Sequence, residues 1–321
     1  MIETTASTKP SEAPHEPSVC PDDVDYYSNV IVNVILIGPP GERDGWTLID
    51  AGLPLSASAI IGAAEQRFGA GARPDAIVLT HGHFDHVGSL PDLLKHWDVP
   101  VWAHELEAPY LSGRSQYPPP DPTVGGGMMA RLSSLYPEGP IDLGESLQIL
   151  PADGTIPPLP EWEWIHTPGH TAGHVSLFRP ADRSLIVGDA FVTTKQESLI
   201  GALTKFHSIH GPPMYFTSDW IASRRSIEAL AALDPLSAFP GHGRPVFGQQ
   251  LRDDLNELLA HFDELARPRH GRYVNAPAAT DETGVVSVPP EVDDPFPRLL
   301  GALALGAMIG LALAPSQDHE A

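Results

Sequence analysis

Cysteine is nearly absent from this chain: Cys20 is the only one in 321 residues. No intramolecular disulfide can form, which fits a reducing compartment. Lysine is scarce too, limited to Lys9, Lys95, Lys195 and Lys205, and Lys+Arg total 19 against 41 Asp+Glu. The formal net charge of -22 comes without any basic cluster, so the chain repels phosphate backbones and nucleic acid is not expected as a partner. Residues 1–22 hold no apolar stretch. They are rich in Pro, Ser, Thr and Glu, so they read as a flexible tail, with neither a secretory signal nor a lipid anchor at Cys20. Long hydrophobic runs are missing as well. Residues 299–314 come nearest, with sixteen residues and no charge, short of the ~20 that a spanning helix needs.

What the chain does have is imidazole. Thr80-His81-Gly82-His83-Phe84-Asp85-His86 places three histidines and a carboxylate within six residues. The cluster directly follows the apolar run Ala76-Ile77-Val78-Leu79, so it belongs in a loop at the end of a buried strand. Neutral imidazole and carboxylate are nitrogen and oxygen donors suited to zinc, iron or manganese. As core packing the cluster makes poor sense, because each ring would need its own hydrogen-bond partner.

Later segments repeat the theme. His170 lies in Thr167-Pro168-Gly169-His170-Thr171-Ala172-Gly173-His174, Asp189 ends Ser184-Leu185-Ile186-Val187-Gly188-Asp189, and His242 lies in Phe239-Pro240-Gly241-His242-Gly243. Upstream, Trp46-Thr47-Leu48-Ile49-Asp50 is another strand-like run ending in a carboxylate. Each candidate follows a short apolar run or a Pro-Gly turn, as a ligand presented from a loop should.

This ordered set resembles the metallo-β-lactamase superfamily over roughly residues 25–265, and Thr-Pro-Gly-His-Thr-x-Gly-His is similar to its glyoxalase II and lactonase-like branches. The resemblance implies an α/β fold, a four-layer αββα sandwich with metals at one edge between two sheets. It implies a first metal on His81, His83 and His170, a second on Asp85, His86 and His242, and Asp189 bridging both. Asp50 and His174 would stand behind the ligands and steady them. Two divalent cations would be expected, zinc first, with iron or manganese fitting the same donors. Such a pair lowers the pKa of a shared water from near 16 toward about 7, so a bridging hydroxide could attack a small ester, thioester or lactone. Asp85 would also orient that hydroxide and take its proton.

The departures narrow the function. Position 189 is Asp where the cysteine-using β-lactam-cleaving enzymes have a thiolate, so antibiotic hydrolysis is not expected. Position 83 is His where the di-iron redox branch has Glu, which disfavours a redox role. A mononuclear iron dioxygenase of the persulfide type, hydrolysis of a small phosphodiester, and a non-catalytic binding protein that keeps the fold stay open as alternatives.

Alternating short strands and helices place the catalytic domain over 23–270. Helices are expected over 56–68, 90–97, 218–233 and 251–266, and a strand over 29–38. Two long insertions, 110–136 and 193–217, would shape a mainly apolar pocket for a small-molecule substrate, with His207, His210 and Tyr215 as candidate carbonyl-stabilising donors. Residues 271–297, Pro-rich and acidic, read as a linker or strap. Residues 298–315 read as an apolar C-terminal helix with Gly306-x-x-x-Gly310. Through 299–314 it would associate with a membrane or a partner subunit, or dock on its own domain. The expected location is the cytoplasm, with membrane attachment through this segment as an option.

Overall fold

The structure is a computed structural model that describes residues 20–204 and 206–293. The tail over 1–19, Lys205 and the apolar segment over 298–315 lie outside the described residues.

The chain opens on an antiparallel hairpin, β1 (Val24–Asn29) and β2 (Val32–Ile37). It continues through β3 (Thr47–Ile49), α1 (Ala57–Phe68), β4 (Ala76–Val78), α2 (Phe84–Val87), α3 (Leu90–Trp97), β5 (Val101–Ala103), α4 (Ala108–Leu111), α5 (Met128–Arg131) and β6 (Leu147–Ile149). These six strands form one sheet in sequence order, parallel from β3 to β6. The second half supplies β7 (Glu163–His166), β8 (Val175–Arg179), β9 (Ser184–Gly188), α6 (Leu199–Thr204), α7 (Trp220–Ala232), β10 (Ser237–Pro240), β11 (Val246–Phe247), α8 (Gly248–Ala260) and α9 (Phe262–Leu265). Its five strands run β11-β10-β9-β8-β7, with β9 and β10 parallel. A small hairpin, β12 (Ala279–Asp281) and β13 (Gly284–Ser287), follows.

The layering follows from strand periodicity. Successive side chains on a strand point to opposite faces. On β2 every residue is buried because both faces are covered. Val34 and Leu36 pack with Ile60, Phe68, Leu90 and Leu93 of α1 and α3, while Ile35 and Ile37 join Val175, Leu177, Ile186 and Phe239 between the sheets. On β9, Leu185 and Val187 pack with Ile227, Leu230, Leu251 and Leu255 of α7 and α8, and Ile186 turns to the inter-sheet core. Helices outside and two sheets inside make the four-layer αββα sandwich of the α/β class that the family resemblance implied.

Several boundaries differ from expectation. The strand read over 29–38 is the second arm of a hairpin, turned at Val30 with φ 55 rather than at a glycine. The helix read over 251–266 starts earlier and breaks at His261, whose φ of -120 and ψ of 31 leave the helical region. The stretch read as a linker is folded over its described part. Arg272 and Tyr273 are buried, the Ala278 amide donates to the Ser218 carbonyl at 3.1 Å, and the Val285 amide donates to Ser115 Oγ at 3.1 Å. Among the described residues no helix is long and apolar enough to cross a membrane.

Strand ends from both sheets meet at one rim. The Val175 amide donates to the Thr80 carbonyl at 3.0 Å, and the Asn33 amide donates to the Gly241 carbonyl at 2.7 Å. Asn33, itself buried, also donates its side-chain amide to the carbonyls of Pro240 and Gly243, 2.9 and 2.8 Å away. These bonds fix the loops that carry the histidines.

Candidate metal centre

Seven side chains converge on this rim. His81, His83, Asp85 and His86 follow β4, His170 sits in the loop joining β7 to β8, Asp189 follows β9, and His242 follows β10. All seven are buried. Their donor atoms form three overlapping groups able to hold a cation: His81, His83 and His170; His81, His86 and Asp189; and Asp85, His86 and His242. Within each group the atoms lie inside 4.8 Å of one another. Asp189 Oδ2 lies between the groups, 3.5 Å from His170 Nε2, 3.6 Å from His86 Nε2 and 3.1 Å from His242 Nε2. Asp85 Oδ2 is 3.4 Å from His242 Nε2.

The surroundings decide which ring nitrogen faces inward. Asp50 accepts from the Thr80 amide, the Thr80 hydroxyl and His86 Nδ1, each at 2.8 Å. With its proton committed to Asp50, Thr80 Oγ1 accepts from His81 Nδ1 at 3.1 Å. His242 Nδ1 donates to the Ile31 carbonyl at 2.7 Å. Thr217 donates to the Pro213 carbonyl and therefore accepts from His170 Nδ1 at 3.2 Å. As neutral rings, these four carry the proton on Nδ1 and turn Nε2 inward as the free acceptor. The fifth is reversed: His83 presents Nδ1, 2.9 Å from His170 Nε2. His81 Nε2, His86 Nε2 and Asp189 Oδ1 are buried without a hydrogen-bond partner. Buried orphan acceptors are rare and costly, so converging ones are the mark of a site built for an electrophile. Five imidazoles and two carboxylates fit a hard to borderline divalent cation.

Electrostatics divides the cluster. Burial pushes His81 and His170 well below the usual imidazole range, with neighbouring imidazoles adding to it, and brings His83 down to about 3. These rings are neutral at physiological pH and need shed no proton to bind a cation. Burial is the largest influence on His86 and His242 and opposes their charge, but the carboxylates together outweigh it, Asp189 and Asp85 at both rings and Asp50 at His86, so both are raised and each would give up its Nε2 proton to a bound cation. Burial pushes Asp189 upward, yet His242 and His86 prevail and hold it well below the carboxylate range.

Both residues expected to stand behind the ligands are in contact with the ligand loops. Asp50 is described above. His174 Nε2 accepts from the Asp189 amide at 2.8 Å, and its Nδ1 donates to Thr167 Oγ1 at 2.8 Å. That proton chain runs on from Thr167 to Ser176 Oγ and ends at the Val187 carbonyl. His174 is thereby locked as a neutral acceptor, brought down to about 3 by burial first.

The family model of the metallo-beta-lactamase superfamily matches residues 28–242, a span that includes all seven donors and ends on His242. The chain belongs to this superfamily. Probable metallo-hydrolase YflN of Bacillus subtilis (strain 168) is 49% identical over 235 residues, covering 73% of this chain and 89% of that protein. Hydroxyacylglutathione hydrolase GloC of Haemophilus influenzae is 27% identical over 113 residues, covering 35% of this chain and 48% of its own. Among solved structures, the B3 metallo-beta-lactamase BLEG-1 superposes with a TM-score of 0.50 at 20% identity over 74% of this chain and 97% of its own, a likeness of fold. Kinship therefore supports a metal-dependent hydrolase at the level of the family.

Within this superfamily member the pocket candidates separate. His207 pairs with Asp254 of α8 at 2.7 Å, and His210 contacts Ser208 Oγ and the Leu265 carbonyl. Among the described residues, no hydrogen bond, ion pair or ring contact joins either ring to the seven-residue cluster, so their expected role as carbonyl donors has no geometric support. Tyr215 does belong beside the cluster: its hydroxyl is raised well above the usual phenol range by burial first and then by Asp85. It neighbours Tyr136 and Phe216, and Phe216 stacks on His83 with ring centres 4.6 Å apart. Asn33, Glu107, Tyr117 and Thr217 went unread in the sequence. Tyr117 and Thr217 fall inside the two insertions expected to shape the pocket, and that position was their only signal.

Proposed function

We propose that this chain is a binuclear metal-dependent hydrolase that cleaves a small ester, thioester or lactone. One observation carries the reading: bare nitrogens and carboxylate oxygens from both sheets are aimed at a shared buried point, with their protons tied off behind them. His81, His83 and His170 would hold one cation, Asp85, His86 and His242 a second, and Asp189 would contact both. Cations bound there lower the pKa of water and polarise an ester-type carbonyl. Asp85 orients the attacking water and accepts its proton at a carboxylate oxygen. Tyr215 offers a hydroxyl toward the substrate's carbonyl oxygen. An aromatic wall of Phe84, Tyr136, Tyr215 and Phe216 gives an acyl group an apolar surface and excludes bulk water. Similarity to a protein named hydroxyacylglutathione hydrolase adds weight to the thioester.

The test combines elemental analysis with a substrate panel. Two cations per chain and turnover of thioesters or lactones are expected. A chain that binds cations but cleaves only bis-p-nitrophenyl phosphate would replace the ester reading with a phosphodiester one. A chain that binds none would overturn both.

A further inference from the structure

Glu107 is a fully buried carboxylate on the turn between β5 and α4. A charge so placed is costly unless its oxygens are paired. Here each oxygen receives one backbone amide and one hydroxyl. Oε2 accepts from the Gly82 amide at 3.0 Å and from the Tyr117 hydroxyl. Oε1 accepts from the Gly173 amide at 3.0 Å and from the Thr171 hydroxyl at 2.6 Å. Gly82 lies between His81 and His83. Thr171 and Gly173 lie between His170 and His174. One carboxylate therefore ties together the two loops that present His81, His83 and His170.

The surrounding residues are shaped for this contact. A Cβ on Gly173 would come within 2.8 Å of Glu107 Oε1, and one on Gly82 within 2.5 Å of the Tyr117 hydroxyl. Tyr117 also lies against the His83 ring, with centres 4.6 Å apart. Thr171 and Gly173, which bind nothing in the ligand set, are thereby explained as the grip on Glu107. His86 and His242 are held by other groups, Asp50 and the Ile31 carbonyl.

Resting on the reading of this cluster as a metal centre, we infer that Glu107 is a positioning residue for the His81–His83–His170 site, setting the spacing of the two loops that carry its imidazoles. Glutamine separates this role from space-filling. Glu107→Gln keeps the volume, but its NH2 must face either the Gly82 or the Gly173 amide, and a backbone N–H cannot turn into an acceptor.

The test titrates cobalt(II) into the metal-free full chain and follows its visible absorption. Repeating the titration in a His242→Ala background reads the three-imidazole site alone. Glu107→Gln should weaken cobalt at that site roughly 10–100-fold, the usual loss when a ligand's supporting bond is removed. The melting temperature of the metal-free form should fall by only about 2–10 °C, as expected for one buried amide left without its acceptor, so the chain stays folded while the site is read. Thr171→Val removes one donor at nearly constant shape; it should give a smaller loss at the same site and serves if Glu107→Gln does not fold. Cobalt affinity unchanged in both variants, or weakened equally at both sites, would overturn the inference. A wild-type chain that takes up no cobalt would instead refute the metal centre itself, before any variant is compared.

Discussion

Asp50→Asn is a sharp probe of how the ligands are oriented. The carboxylate takes three bonds at 2.8 Å, two from Thr80 and one from His86 Nδ1. Asparagine has nearly the same shape, so packing is spared, but one oxygen becomes an NH2. If the NH2 faces His86, that ring must accept on Nδ1 and carry its proton on Nε2. Nε2 is the atom left bare for a cation, so the donor is blocked. If the NH2 faces the Thr80 amide instead, two donors collide and the loop of His81 shifts. A charge-assisted bond contributes about 1.5–3 kcal/mol, and each factor of ten in affinity is about 1.4 kcal/mol. Cation affinity should therefore fall roughly 10–100-fold, in line with losses seen when a ligand's partner is removed. Chelator competition measures this directly, and chemical denaturation of the metal-free form checks the fold. Wild-type affinity in Asp50→Asn would refute the assignment of ring protons on which the metal centre rests.

Other expectations follow from the same geometry. Stripping the cations should lower the melting temperature by about 5 °C, because a ligand bound only by the fold at 100-fold over its Kd adds about 2.7 kcal/mol; an unchanged calorimetric midpoint would count against buried cations. Asp85→Asn should cut kcat by about 10²–10⁴ if the carboxylate takes the proton of the attacking water, and elemental analysis must accompany the assay because Asp85 is also a ligand candidate; full turnover with full metal would remove the role. His104 accepts the Leu106 amide on Nδ1 and is pushed down to about 4 by burial and then by His166, stacked on it at 4.5 Å. Its folded pKa lies below the unfolded 6.5, so the unfolded chain binds the extra proton and stability is lost as pH falls from 6.5 to 4. Discounted for partial solvent contact, that loss is about 2 kcal/mol. His104→Asn keeps the capping acceptor without the titration and should flatten the pH dependence of the urea midpoint; an identical slope would show that His104 does not contribute.

The seven clustered donors were legible because each sits in a short motif after a strand, where chain direction forces loops to one rim. Their supports were not. Asn33 reaches Pro240 across 207 residues and Glu107 reaches Gly173 across 66, so no local pattern marks either one. The β1–β2 turn escaped notice because it uses Val30 in a left-handed conformation, not Gly or Asn. The break at His261 was hidden because Leu255, Leu258, Phe262 and Leu265 keep their apolar spacing through it. The β12–β13 hairpin was hidden by its proline-rich flanks, although Asp281 caps its turn by accepting the Thr283 amide at 2.8 Å. His207 and His210 looked like pocket residues because loop position was the only cue available, and loop position does not say which way a ring points.

The centre is drawn from both halves of the sandwich. One sheet contributes His81, His83, Asp85 and His86, and the other contributes His170, Asp189 and His242. A cation seated across that seam would be a rivet as well as a reagent. The halves could not slide against each other without pulling its donors apart, so on this reading activity would report directly on the alignment of the two sheets.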